Sequence, residues 1–497
     1  LGFVLEAVFC SETKILIQVN MQPVNTIEIV KNKNFYKYKR MKVHFISIGG
    51  SVMHQLAIAL SKKGYQVSGT DDEIFEPALS NLKEAGLFPE QIGWNENKIQ
   101  PDLDAVILGM HARADNPELL KAKALGLNIY SFPAYIYKES INKQRIVVGG
   151  SHGKTTTTSM IMHVLNKQGL DFDYLVGAKL SGFEQSVNIT EAPIIVCEGD
   201  EYPASAIEKK PKFHFLYPHI AILTGIAWDH INVFPTFEFY LEQFTVFINR
   251  IEKGGLLIYN ESDKVLVDII EKSKRSDIRY QPYQVPPFSI ENGITTIQIE
   301  SHKGTLSVFG NHNLMNCLAA YYVCKSLGVS ANNFLESMKD FTGASKRLEL
   351  LASNESMCIY RDFAHAPSKV KATVQAVKQQ FPKRRLFGIL ELHTYSSLNV
   401  AFMNEYRGAL DELDESVVFY AKHALEIKQM PDLPSEKVIE GFGKYGLIVM
   451  NEKSELEKWL LNIPNHDTNI LFMSSGNYDG LNINSLAKVI MHNNSEG

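Results

Sequence analysis

No apolar run in this 497-residue chain approaches the roughly 18 residues that a membrane-spanning helix needs. Cysteine is scarce as well. Cys10, Cys197, Cys317, Cys324 and Cys358 are scattered, odd in number and without a C-x-x-C pair. Reduced, mostly buried thiols in a cytoplasmic protein are the expectation. Excess positive charge is missing too: Lys plus Arg is 50 against 55 for Asp plus Glu, a net charge of -5. That argues against a general nucleic-acid binder. Beyond Gly2, residues 1–40 contain no glycine, and their end, "KNKNFYKYKR", is basic and polar. The opening "LGFVLEAVFC" has Glu6 inside it and no basic residue before it, which makes a poor signal peptide. An extension outside the folded body is expected there, with Met41 opening the body. What is present is ordinary for a globular protein, 45% hydrophobic and 21% charged, and the length suggests about three domains.

From Met41 on, short β-rich runs alternate with helical patterns, as in α/β layers. "KVHFISI" reads as a strand, Gly49-Gly50-Ser51 as a turn, and Met53, Leu56, Ala57 and Leu60 as the apolar face of a helix. "QVSGT" then closes on Asp71-Asp72. This is the outline of a dinucleotide-type fold, although Ser47 and Val52 stand where the full G-x-G-x-x-G fingerprint has glycine. A ligand other than NAD is therefore expected. A second block begins near Arg145 and a third near Thr342. In the third, "MCIYRDF", "RLFGILEL", "SVVFYA" and "NILFMSSG" read as strands of another open sheet, with ligands expected at their C-terminal ends.

The second block opens on "RIVVGGSHGKTTTT". The usual phosphate loop, G-x-x-x-x-G-K-[ST], would need glycine where Val148 stands. Gly150 instead opens a shorter loop through Gly153 to Lys154 and Thr155. Glycines at a helix N-terminus turn backbone N–H groups toward an anion. Lys154 can then sit over the β- and γ-phosphates, and the Thr155 hydroxyl can hold Mg²⁺. The strand in "APIIVCEGDEY" ends on Glu198, with Asp200 and Glu201 close behind, as a second magnesium shell would need. The strand in "HIAILTGIAWDH" leads to His230 at the same sheet edge. "FGNHNLMN", "KRLEL", "YRDFAHAPS" and "ELHTYSS" follow, each weak alone.

In sequence, "GSHGKTTTT", "CEGDEY", "DH", "GNHNLMN", "KRLE" and "DFAHAP" resemble the motifs of the Mur ligase family, the ATP-dependent amide-forming enzymes of peptidoglycan synthesis. That family uses the shorter loop G-x-x-G-K-T-T, and the likeness runs from Met41 onward. It implies an α/β protein of three domains: a Rossmann-like UDP-sugar domain over 41–144, a central P-loop ATPase domain over 145–341, and a Rossmann-like acceptor domain over 342–497. The cofactors implied are ATP and Mg²⁺. Gly150, Ser151, His152, Gly153, Lys154, Thr155 and Thr156 would cradle the nucleotide. Asn313 and Asn316 would lie by the adenine, while Arg347 and Asp362 would reach ATP from the third domain. Thr155 and Glu198 would hold one Mg²⁺ and His230 a second. Gly49, Gly50, Ser51 and Asp71 would meet UDP-N-acetylmuramate, His393 would border the acceptor pocket, and His365 is a plausible base for the incoming amine.

Within the family, two features point to the branch that joins L-alanyl-γ-D-glutamyl-meso-diaminopimelate to UDP-N-acetylmuramate in recycling. They are the long, Lys-rich connection "EYPASAIEKKPKFHFLYPHIAIL" and the form "DFAHAP". Other features depart from the family. No lysine lies between Ile231 and Asn249, where many members carry a carbamylated one. Arg361 stands where members usually have Asp, Ala366 where many have His, and His393 where the recycling branch has arginine. Addition of L-alanine is the alternative acceptor chemistry, and a catalytically silent UDP-sugar sensor is the alternative of a different class.

Overall fold

The computed structural model describes residues 7–10, 14–17, 40–110, 112–177, 180, 182–228, 233–343, 347–464 and 466–492. The chain divides into two compact units, Leu1–Met41 and Lys42–Gly497. In the first, strand Ala7–Cys10 pairs antiparallel with Lys14–Ile17. The rest of the expected extension lies outside the described residues.

The second unit is built on three open sheets. The first has four parallel strands in the order Gln66–Thr70, Lys42–Ile46, Ala105–Leu108 and Ile129–Ser131. Its first strand stops at Ile46 because Ser47 takes a left-handed conformation, φ 66°. The Ser47 and Ile48 N–H groups then both donate to the Thr70 carbonyl, at 2.9 and 3.0 Å. The helix Met53–Lys62 that follows buries Met53, Leu56, Ala57 and Leu60, the three-four spacing of one helical face.

The central sheet has seven strands, ordered Arg279–Tyr283, Leu256–Asn260, Ile220–Leu223, Gln144–Gly149, Ile194–Glu198, Phe172–Leu175 and Val187–Asn188. All neighbours are parallel except the last pair. Helices cover both faces, so its inner strands are continuous apolar runs. Along Gln144–Gly149, Val147 packs with Phe244 and Phe247 of helix Phe237–Asn249. Ile146 and Val148 face the other way, onto Met160 and Ile161 of helix Lys154–Lys167. Beyond this sheet, residues 288–306 form a three-stranded antiparallel sheet that the sequence reading did not bring out.

The third sheet runs Glu349–Ser353, Met357–Asp362, Thr468–Met473, Arg385–Glu391, Glu415–Phe419 and Ile448–Met450. It is parallel apart from the antiparallel edge strand Glu349–Ser353. Helix Pro367–Gln380 buries Val370, Val374 and Val377 beneath it. Among the described residues no helix is long and apolar enough to cross a membrane.

Candidate active site

Strand C-terminal ends of the central and third sheets meet across one cleft of about 900 Å³. The glycine loop expected to hold phosphate forms its floor. Gly150 and Gly153 have φ of 121° and 81°, which an L side chain rarely adopts. A Cβ on Gly153 would also lie 2.5 Å from the Asn316 amide oxygen, so glycine is required twice over. The loop is pinned from outside. The Ser151 hydroxyl lies 2.8 Å from that of Tyr240 and accepts from the Ala227 N–H at 2.9 Å. The Thr224 hydroxyl donates to the His152 carbonyl. With the loop so held, the helix begins at Lys154 and directs its N-terminus at the cleft.

Lys154 donates to the Gly150 carbonyl at 2.6 Å and to Glu201 Oε2 at 2.7 Å. Burial works against its ammonium, but Glu201, Asp200 and Glu198 outweigh that and hold its proton more tightly than on an ordinary lysine. The Thr155 hydroxyl donates to Glu198 Oε1 at 2.8 Å, and Glu198 Oε2 accepts from the Gly177 N–H at 2.8 Å. The two carboxylates following Glu198 have different partners. Asp200 pairs with Lys212 at 2.7 Å, and Glu201 with Lys154. Sequence reasoning placed all three carboxylates near magnesium and missed that Glu201 belongs to the lysine.

Asn313 and Asn316 stand three residues apart on helix Asn311–Ser326, so both face the cleft. Beside them burial pushes His312 down to about 4, leaving it neutral at ordinary pH. From the third sheet, Arg347 lies over the Phe363 ring at 4.8 Å. Asp362 accepts from the Leu348 N–H at 2.6 Å and the Ala364 N–H at 2.7 Å. Burial raises its carboxyl above the usual range, while Arg347 and those N–H groups pull it back. His365 lines the same cleft, with Nδ1 2.8 Å from the Phe363 carbonyl, and His152 Nε2 reaches Ser368 Oγ at 3.1 Å. Thr156 also lines the cleft.

A smaller cavity of about 200 Å³ adjoins, lined by Gly50 and Ser51 of the first sheet and by Asp200, Lys212 and Glu198. Glu198 faces both cavities. Gly49 and Asp71 stand behind this wall. Asp71 is only 5% exposed and accepts from the Gly49 N–H at 2.6 Å. His393 sits beside Gly476 and 3.9 Å from Glu391, while its neighbours Thr394 and Tyr395 line the larger cleft. His230 lies outside the described residues. Cys197, Cys317, Cys324 and Cys358 are buried and free, and burial pushes the Cys197 thiol up to about 12.

Two family descriptions match the chain: the Mur ligase middle domain over residues 148–324, and the Mur ligase family catalytic domain over 42–138. The UDP-N-acetylmuramate–L-alanine ligase of Sulfurihydrogenibium sp. (strain YO3AOP1) is 31% identical over 471 residues, covering 92% of this chain and 99% of that relative. Among solved structures, the UDP-N-acetylmuramate–alanine ligase of Thermotoga maritima matches with a TM-score of 0.64 at 22% identity, covering 91% of this chain and 99% of that one. A murein peptide ligase from Psychrobacter arcticus matches with a TM-score of 0.58 at 21% identity, covering 90% and 98%. At these identities the structures speak for the fold alone.

The relatives overturn the expectation of the recycling branch, because the curated ones at 28–31% identity carry the alanine-ligase name. The two features behind that expectation have local settings of their own. Lys209 and Lys210 of the long connection are exposed on a loop, where sequence varies freely. Phe363 of "DFAHAP" packs under Arg347. His393 was the residue that already departed from the recycling pattern. The chain belongs to the Mur ligase family and is an ATP-dependent ligase.

Proposed function

We propose that this protein joins L-alanine to UDP-N-acetylmuramate, with ATP converted to ADP and phosphate. Glu198 carries the reading: it faces both the phosphate-loop cleft and the cavity walled by Gly50 and Ser51, so a phosphoryl donor in one and a sugar acid in the other would meet beside it. The name borne by the relatives, matched over nearly their whole length, supports alanine as acceptor. We read the three sheets as domains over 41–144, 145–341 and 342–497. The UDP-sugar would lie against Gly50 and Ser51, with Gly49 behind them and its amide held by Asp71. ATP would lie against residues 150–156, Asn313, Asn316, Arg347 and Asp362, and alanine near His393.

In the first step, a lactyl carboxylate oxygen attacks the γ-phosphorus and ADP leaves. Lys154 and the loop N–H groups stabilise the charge that builds up on the transferring group. In the second, the amine of alanine attacks the acyl phosphate, and the collapse expels phosphate and leaves an amide. The amine must arrive neutral. Hydrogen-bonded to a carbonyl, His365 Nδ1 keeps its proton, and the lone pair sits on Nε2, the tautomer a base needs. The cleft is walled by both sheets, and bound substrates filling it would keep water from the acyl phosphate.

Magnesium fits these residues. It prefers a hard oxygen donor or two together with substrate phosphates and water. The Thr155 hydroxyl and Glu198 carboxylate, 2.8 Å apart at the loop, are such a pair. When bound there, the ion would neutralise phosphate charge, and His230 is the proposed partner for a second ion. The test is phosphate release with substrates supplied singly and together. Release only when ATP, UDP-N-acetylmuramate and L-alanine are all present supports the reading. Equal release without alanine contradicts it.

A further inference from the structure

We infer that Glu201 is a positioning residue, which sets the single N–H of Lys154 that reaches the transferring phosphoryl group. An ammonium has three N–H donors. Two are committed here, one to the Gly150 carbonyl at 2.6 Å and one to Glu201 Oε2 at 2.7 Å. The direction of the third follows from tetrahedral geometry, and Lys154 lines the cleft. Without Glu201 the four-carbon stem could turn about the Gly150 contact, and no one direction would be enforced. The carboxylate is well suited to this task, being 1% exposed where the lysine side chain is 14% exposed. Water competes little for the pair, and the low local dielectric strengthens it. The division of labour along one segment is consistent with this. Glu198 takes the Thr155 hydroxyl and Glu201 takes the Lys154 ammonium, so each of the two consecutive polar residues that open the helix has its own carboxylate.

This inference rests on the assignment of Lys154 to the ATP phosphates, and a double-mutant cycle separates the two. Glu201→Ala should lower kcat about 100-fold, as expected for loss of transition-state positioning, with KM for ATP changed less than about threefold. Glu201→Gln keeps an acceptor oxygen and should recover most of that loss. In a Lys154→Ala background, Glu201→Ala should cost almost nothing more, because its route of action is gone. A purely structural role would instead move melting temperature and KM together and add its loss to that of Lys154→Ala. Either that additive result, or unchanged kcat in Glu201→Ala, overturns the inference. Near wild-type turnover in Lys154→Ala alone would instead bring down the phosphate assignment on which it rests.

Discussion

Lys154, Ser47 and Asp71 each carry a consequence that one substitution can reach. On the proposed reading, Lys154→Ala would remove a charge-assisted contact made as the phosphoryl group transfers. It should cost about 3 kcal/mol, or roughly 10²–10³ in kcat, with the fold retained. Steady-state kinetics and a melting curve check both halves. Ser47 has a left-handed backbone and a buried hydroxyl without a hydrogen-bond partner among the described residues. Each is a cost that glycine avoids, offset partly by the greater freedom glycine has when unfolded. Ser47→Gly should therefore stabilise by about 1 kcal/mol, raising the melting temperature by roughly 2 °C. Lower stability would mean that the hydroxyl has an unrecognised role. Burial pushes Asp71 up to about 6, opposed by the Gly49 N–H and reinforced by Asp72. A carboxyl raised on folding holds its proton more tightly in the folded state, so its contribution is full below about pH 4, the unfolded value, and fades as pH rises through about 6. Relative to Asp71→Asn, wild-type melting temperature should fall between pH 4 and 7. A constant difference would exclude Asp71 as the titrating group.

At the scale of elements, Asp362 ties the entry and exit of the third sheet's edge, accepting from Leu348 and Ala364 through its two oxygens. In Asp362→Asn one oxygen becomes an NH₂ group facing an N–H donor. The expected loss is about 1–3 kcal/mol of stability by denaturant unfolding, and a loss within experimental scatter would show that the segment is held otherwise. Much of the architecture was legible locally. The helix face Met53, Leu56, Ala57 and Leu60 and the run Val370, Val374 and Val377 are buried as their periods require. The short phosphate loop was legible because glycine, lysine and threonine at a strand-to-helix turn have few other uses. Glu201 was not, because its pairing with Lys154 spans 47 positions and nothing in the spacing announces it. The antiparallel sheet over 288–306 was legible as well, though unread: "FSIE" and "ITTIQI" alternate apolar and polar residues around Asn292-Gly293, a hairpin signal.

Across the whole molecule, the His152–Ser368 contact joins the loop at Gly150–Gly153 to the helix of the third sheet, so a nucleotide held as proposed would touch two sheets at once. ATP at about 100 times its Kd should add roughly 2.7 kcal/mol to the stability of the folded state. Wild type should show the resulting rise in melting temperature at ATP concentrations that leave Lys154→Ala unmoved, and an equal rise in both would place the nucleotide elsewhere. Acceptor choice is the property least legible in the sequence, because on the proposed reading it would depend on the shape of the cleft near Thr394 and Tyr395 and not on any motif. A site built to clamp the carboxylate of free alanine would meet an amide at that place in a tripeptide, a mismatch of several kcal/mol. The most direct measurement is therefore a competition in which UDP-N-acetylmuramate and ATP are offered L-alanine and L-alanyl-γ-D-glutamyl-meso-diaminopimelate together. The account requires alanine to be ligated with kcat/KM at least about 100-fold higher, and a tripeptide that draws level or wins would contradict it.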